Sequence, residues 1–340
     1  MSQILTDESS TEAEVAAEGQ PVGRTREERE SNCSNETEDE FMAENVQTFK
    51  NMAYLQNQYR SVSISESEKI HIEVEPGKRL LLLDMDETLL HAATVNDIFE
   101  QQIYGPNAKP SFYTSFRDQE NLIEIGVFLR PCLQELIQRV SPHFTMAVFT
   151  ASERLYADTI LDQIDPHQVI FKKRIYRTKC LKTVLPPSEQ DQSSQRQSTG
   201  SSVEQKPIYI KDLRIISGID ISQIVIVDNQ FQSFALHPDN GIPISSYFYD
   251  PLDTELRCLA DYLLEKLVYG FEDDSRVVQS PIAVTDVRVV NRQQFKLQKI
   301  IDLASNRVES IEDDDRLADN PRSTSCSNLS DVQVPIEMQY

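Results

Sequence analysis

Three short runs of the chain are apolar from end to end and then stop at a polar residue able to do chemistry. They are Arg79–Asp84 (RLLLLD), Phe144–Thr150 (FTMAVFT) and Ile224–Asp228 (IVIVD). A strand buried on one face alternates apolar and polar residues, whereas a strand buried on both faces does not. Unbroken runs of this length therefore read as parallel strands lying between two layers. Helical patterns separate them. Leu133, Leu136, Ile137 and Val140 share one face of a helix opened by Pro131, a residue tolerated in the first turn. Leu155, Tyr156, Ile160 and Ile164 follow Ser152, which has the chemistry of an N-cap. Asp253 opens a long helix with Leu256, Leu259, Leu263, Leu264 and Leu267 on its core side. Strands alternating with helices predict an α/β fold with a mainly parallel, doubly wound sheet.

The ends of those strands matter most. Asp84, Thr150 and Asp228 each stand at a C-terminal strand end, the edge at which open α/β sheets bind ligands. The first end continues as Asp84-Met85-Asp86-Glu87-Thr88. Two carboxylates two residues apart, just past a strand, can face one cleft. One can attack a phosphoryl group while the other handles the proton of the leaving oxygen. A phosphate dianion is repelled by such a pair, so cations are required. Asp228-Asn229 offers oxygen ligands of the kind Mg²⁺ takes. Lys211, in YIKDL, can neutralise the transferring oxygens, and Thr150 can donate a hydrogen bond to one of them. Each alone has a plain structural explanation: an acidic turn, a surface lysine beside Asp212, a helix cap. Together they suit one reaction.

The surroundings of this core divide the 340-residue chain. Residues 1–76 read as a mostly disordered acidic region, although FMAENVQTFKNMAYLQNQY, from Phe41 to Tyr59, also fits a short helix. Residues 77–304 read as the catalytic domain, and 305–340, with EDDDR and STSCSNLS, as a disordered acidic tail. Residues 93–123 carry Phe99, Tyr104, Phe112, Tyr113 and Phe116 among polar residues and are expected to form a small cap, since structureless loops of that length are uncommon. The Ser- and Gln-rich stretch 183–206 reads as a flexible insertion. With 55 acidic against 33 basic residues the net charge is -22, which disfavours direct contact with nucleic acid. No apolar run approaches the ~20 residues needed to span a membrane. The five cysteines have no metal-site spacing and fit a reducing compartment, nucleus or cytoplasm. Nothing in the pattern sets an oligomeric state.

LLLDMDETLLH, FTAS with the following Tyr156-Ala157-Asp158, YIKDL, and IVIVDNQFQSFALHPDNGIPISSYF resemble, in that order, the motifs of the FCP/SCP class of haloacid-dehalogenase-fold phosphatases. These are the small phosphatases that act on the RNA polymerase II C-terminal domain. The resemblance runs from about Arg79 to about Gly270. It implies a Rossmann-like core with a small β insertion after the first motif, and a Mg²⁺-dependent protein serine/threonine phosphatase that works through an aspartyl-phosphate. It implies Asp84 as nucleophile, Asp86 as general acid and base, and Thr88 as a positioning residue. Thr150, Lys211 and Arg177 would meet the substrate phosphate. Asp84, the backbone of Asp86 and Asn229 would hold Mg²⁺, with Asp228 in support. Tyr156 matches an aromatic residue of the family's proline-binding pocket, and Glu153 stands where those enzymes carry Leu. Placed beside the Tyr156 ring, Glu153 is expected to be partly desolvated and to shift substrate choice away from Ser-Pro sites. A small-molecule phosphatase of the same fold, or a phosphopeptide-binding scaffold with little turnover, are the alternative readings.

Overall fold

A computed structural model describes residues 38–100, 104, 108–186, 206–270 and 286–305. The elements, in chain order, begin with helix α1 (Glu38–Tyr59), β1 (Ile70–His71), β2 (Arg79–Leu83), β3 (Leu90–Thr94) and α2 (Val95–Glu100). Then come β4 (Phe112–Asp118), β5 (Asn121–Leu129), α3 (Leu133–Val140), β6 (Phe144–Phe149), α4 (Arg154–Ile164) and β7 (Phe171–Ile175). They are followed by β8 (Leu181–Thr183), β9 (Ile208–Ile210), β10 (Ile216–Ser217), β11 (Ile224–Asp228) and β12 (Gly241–Pro243). Helix α5 (Glu255–Tyr262) continues as a π-helical stretch, Leu263–Tyr269, before α6 (Val287–Phe295) and a final helix α7 over 297–305.

The three apolar runs are neighbours in one parallel five-stranded sheet, ordered β12-β11-β2-β6-β7. Every residue of β2, β6 and β11 is buried, which is why these strands show no alternation. The chain winds outward from β2 in one direction through β6 and β7, and in the other through β11 and β12. β2 is thus the point where the strand order reverses, and the crevice beyond its carboxyl end is where such sheets take ligands. The fold is the doubly wound α/β, Rossmann-like class that the haloacid dehalogenase resemblance implies. Between β2 and α3 the chain makes the small cap, an antiparallel sheet ordered β3-β5-β4 with α2 beside it.

Several boundaries differ from the sequence reading. The folded body begins well before residue 77. Phe49, Met52 and Leu55 of α1 are fully buried in the main core, and the Phe49 ring meets the Phe231 ring edge-on at 5.7 Å. The sparse apolar points of α1 hid this, because a helix that lays one narrow stripe on a body needs few of them. α3 starts at Leu133 rather than Pro131, since Cys132 takes a left-handed conformation (φ 63°). α4 starts at Arg154 with Glu153 as its cap residue, and Ser152 makes no cap bond there. α5 starts at Glu255, with Asp253 accepting from the Glu255 N–H at 3.0 Å. The expected insertion 183–206 overlaps structure at its start: Thr183 pairs with Ile208 in the β8–β9 ladder. Its remainder from 187 to 205, like 1–37 and 306–340, lies outside the described residues.

The flanking helices also close on each other. Gln56 of α1 and Gln298 of α7 exchange amide hydrogen bonds at 3.1 Å, and Gln56 Nε2 donates to the Ala235 carbonyl at 2.8 Å. Val287, Phe295, Ile300 and Ile301 join α1 in the same core. In that packing α1 lies on the Phe231–Phe234 turn, which begins two residues after Asn229, and α6 on the following Pro238–Asn240 turn. Phe49→Ala is expected to destabilise the chain by about 3–5 kcal/mol, the cost of a large-to-small core substitution. Urea denaturation measures it. A loss under about 1 kcal/mol would place α1 outside the cooperative core.

Candidate active site

The sheet brings the strand-end residues together. Asp84 leaves β2 with its N–H on the Val227 carbonyl at 3.0 Å, so the ends of β2 and β11 are locked in register. The chain then makes a tight turn: the Leu89 N–H returns to the Met85 carbonyl at 2.9 Å, and Glu87 sits at φ 58°. A non-glycine residue there is uncommon and is held by its surroundings. Here Glu87 donates from its N–H to Leu90 O and accepts from Tyr247 N–H, both at 2.8 Å.

Lys211 is the hub. Its Nζ donates to Asp84 Oδ1 at 2.5 Å and to Asp228 Oδ2 at 2.6 Å, with all three side chains buried. Its own backbone N–H is fixed on Ser233 O at 2.7 Å. Burial pushes Asp84 above the usual carboxylate range against the pull of Lys211, and Asp228 and Asp86 add to the rise. Burial works against the charge of Lys211, but Asp228 and Asp84 outweigh it and hold the ammonium protonated.

Asp86 is gripped at both oxygens. Ser152 Oγ donates to Oδ2 at 2.6 Å and Tyr156 Oη to Oδ1 at 2.7 Å. Burial raises its pKa, while the two hydroxyls hold it down. Burial and Asp86 both raise the Tyr156 phenol, which stays a donor. The extended cap residue Glu153 (φ -65°, ψ 144°) places Ser152 at the start of the turn and Tyr156 one helical turn later. Thr150 is buried. Its Oγ1 accepts from the Ser152 N–H at 3.0 Å, which leaves its own hydrogen to donate elsewhere. Thr88 is buried, and its Oγ1 lies 3.5 Å from Asn229 Oδ1, while Asn229 Nδ2 donates to Ser246 Oγ at 2.9 Å.

The rim residues depart from expectation. Glu153 is exposed and paired with Arg177 at 3.0 Å, rather than desolvated against Tyr156. The reason is its cap position, whose extended backbone turns the side chain off the helix face that carries Tyr156. Arg177 also donates to the Ala151 carbonyl at 2.5 Å and lies 5.0 Å from the Tyr209 ring centre. It thus braces the 150–153 turn from outside. Tyr156 meets Phe116 of the cap edge-on at 5.8 Å, so it joins the cap to Asp86. Cys180 Sγ lies 3.8 Å from the Thr150 carbonyl, but burial pushes its thiol up to about 12, which disqualifies it as a thiolate nucleophile.

Three contributors escape the sequence reading. Ser152 reads there only as a cap, and Ser246 gives no signal. Arg130 is almost wholly buried; it forks onto Asp253 at 2.9 and 2.8 Å and donates to the Thr88 carbonyl at 3.2 Å. A lone arginine closing the apolar strand β5 is its signal, since an arginine there must be paired.

Residues 79–276, more than half of the chain, match the family of NLI interacting factor-like phosphatases. The chain belongs to that family. Among its relatives, CTD small phosphatase-like protein 2 of Dictyostelium discoideum is 34% identical over 66% of this chain and 31% of its own length. CTD nuclear envelope phosphatase 1B of Danio rerio is 32% identical over 53% of this chain and 63% of its own. CTD small phosphatase-like protein of Homo sapiens is 30% identical over 53% of each. This chain therefore covers less than two thirds of each of these relatives. No helix among the described residues is long and apolar enough to cross a membrane.

Family membership leaves the hydroxyl grip on Asp86 to be tested. Ser152→Ala combined with Tyr156→Phe removes both donors that stabilise the ionised carboxylate, so its pKa must rise further. Turnover of a small aryl phosphate should fall, and the limb of the pH profile governed by Asp86 should move to higher pH. An unchanged profile and rate would show the two hydroxyls to be idle.

Proposed function

We propose that this chain is a Mg²⁺-dependent protein serine/threonine phosphatase that works through an aspartyl-phosphate on Asp84, in the nucleus or cytoplasm. The observation that carries the reading is the strand-end constellation at the reversal of the sheet: Asp84 held by Lys211, with Asp86 presented by Ser152 and Tyr156. Asp84 attacks phosphorus. Asp86 gives a proton to the leaving alkoxide, then takes one from the water that opens the acyl phosphate. Lys211 and the free hydrogen of Thr150 stabilise the transferring oxygens.

The donor set fits a magnesium ion. Ionised together, Asp84, Asp86 and Asp228 would carry three negative charges against the one positive charge of Lys211, so a further cation would favour their charged forms. These groups are hard oxygen donors, and Asn229 turns its amide oxygen toward the Thr88 side of the turn. Among the described residues no three His, Cys, Asp or Glu side chains group as a metal site, so the ion's shell would have to be completed by Asn229, a backbone oxygen and water. Asp84, the backbone of Asp86 and Asn229 would hold the ion, with Asp228 in support. It would supply charge neutralisation for the incoming phosphate.

The described part of the cap is one three-stranded sheet with α2 beside it, a moderate cap for an element that would have to close over a small substrate. That supports a peptide-borne phosphate over a small metabolite. The relatives named for CTD phosphatase activity make the RNA polymerase II C-terminal domain the first substrate to try. The exposed Glu153–Arg177 pair at the rim supplies one charge of each sign near the peptide. Glu153→Leu is expected to free Arg177 and favour acidic residues next to the phosphosite, with aryl phosphate turnover unchanged. Paired phosphopeptides differing at one flanking residue read this out, and equal ratios in both enzymes refute it.

Asp84→Asn should abolish hydrolysis of p-nitrophenyl phosphate in a folded protein, and Asp86→Asn should slow it by ~10²–10⁴-fold. Chelation should stop the wild type, and added Mg²⁺ should restore it. Rapid quench should trap an acid-stable, hydroxylamine-labile phosphate. Hydrolysis by Asp84→Asn would end the assignment, while phosphopeptide binding without turnover in the wild type would favour the scaffold reading.

A further inference from the structure

The segments flanking the family match build a second charged site. Where the end of α1 and helix α6 meet over the connection from β11 to β12, a pocket of about 230 Å³ opens. Arg60, Arg214, Arg288 and Arg292 line it, with His237 and Asp239. Ile221, just ahead of β11, and Asn240, just ahead of β12, also line it, so it lies at the N-terminal edge of the sheet. Asp84 and Asp228 stand at the opposite, C-terminal edge. Three of the four arginines come from outside residues 79–276.

The arginines are set in place and incompletely used. Arg288 grips Asp286 through Nε and Nη2, at 2.9 and 2.7 Å. Arg292 grips Asp239 Oδ2 through the same two nitrogens, at 3.0 and 2.6 Å. In both, Nη1 has no partner among the described residues. Arg60 donates only from Nη2, to Gln298 at 3.2 Å, and meets no carboxylate among the described residues. Arg214 is spent on Asp212 and on the carbonyls of Tyr59, Arg60 and Val62, which fixes the chain that carries Arg60. Asp239 Oδ1 is buried and accepts no hydrogen bond. Asp212, Asp239, Asp286 and the exposed Asp220 near Arg288 balance the four arginines one for one. Selection therefore rests on unsatisfied, pre-oriented donors rather than on excess charge. Guanidinium edges held by carboxylates on one side and open on the other match the oxygens of a tetrahedral oxyanion.

We propose that this pocket is a second anion site, separate from the catalytic cleft. It takes a phosphoryl oxyanion on the free donors of Arg60, Arg288 and Arg292. The group can arrive as inorganic phosphate or as a phosphorylated side chain on a peptide. The site needs no turnover at Asp84 and stands apart from the catalytic reading.

Calorimetric titration of the full chain with inorganic phosphate tests it. Wild type should show a class of sites that R60Q/R292Q weakens about tenfold or more, the expected effect of losing charged hydrogen bonds. Melting temperature and aryl phosphate turnover should stay near wild type, since both side chains are exposed and remote from Asp84. If the double variant is unstable, R60Q alone carries the test, because the shorter amide side chain removes the charge without touching the core. A phosphonate analogue of a phosphoserine peptide separates the sources. A larger loss for the peptide than for phosphate assigns a phosphopeptide ligand, and equal losses assign free phosphate. Isotherms for both probes that the substitutions leave unchanged overturn the proposal.

Discussion

The contact of Lys211 with Asp84 and Asp228 is the constraint around which the site is arranged. Three charges lie there with almost no exposure to water, a placement that is costly unless each is paired. The pairing is possible only because β2 and β11 are adjacent and in register, so that both carboxylates leave the sheet at one level. The ammonium comes from another direction, off β9, and its main chain is tied to Ser233. That arrangement keeps Asp84 buried yet holds its charge against a cation.

Around this hub the fold supplies a graded series of supports. Hydroxyls from the 150–156 segment hold Asp86, and Arg130 holds the carbonyl of Thr88 while forking onto Asp253 ahead of α5. The cap touches the same group through Phe116 and Tyr156. Helix α1 presses on the turn after Asn229 through Phe49 and Gln56. Asp84, Asp86 and Asn229 are therefore each braced by an element remote in sequence. The N-terminal helix belongs to that bracing as much as to the core.

The site is legible where function and local pattern coincide. Unbroken apolar strands announce buried parallel neighbours, and a carboxylate at the end of two of them is conspicuous because the core cannot hold it unpaired. Asp84, Asp86 and Asp228 can be picked out in this way, with Thr150 and Asn229 beside them, and the parallel sheet brings the ends of β2, β6 and β11 to one edge, where Lys211 arrives from β9. Ser152 is legible only as a helix cap, since a serine before a helix has the same local chemistry whether it caps or reaches a carboxylate. Glu153 misleads for a related reason: residues three apart inside a helix share a face, but Glu153 is the extended cap residue outside it, and its side chain leaves the Tyr156 side for Arg177. The role of α1 is hidden because its apolar points are few, and only the partner surface shows how completely they are covered.

The sequence by itself determined the class of fold and the polar residues that end its buried strands at one edge of the sheet. Those follow from periodicity and from the cost of burying charge, which are local and general. Tertiary structure alone decided which hydroxyls hold Asp86 and which arginine closes on Asp253. It also decided that segments on both sides of the family match join in one core and line one arginine pocket. These depend on residues far apart in the chain coming together, such as Gln56 with Gln298 or Arg60 with Arg292, and no local pattern records which distant surface a side chain will meet.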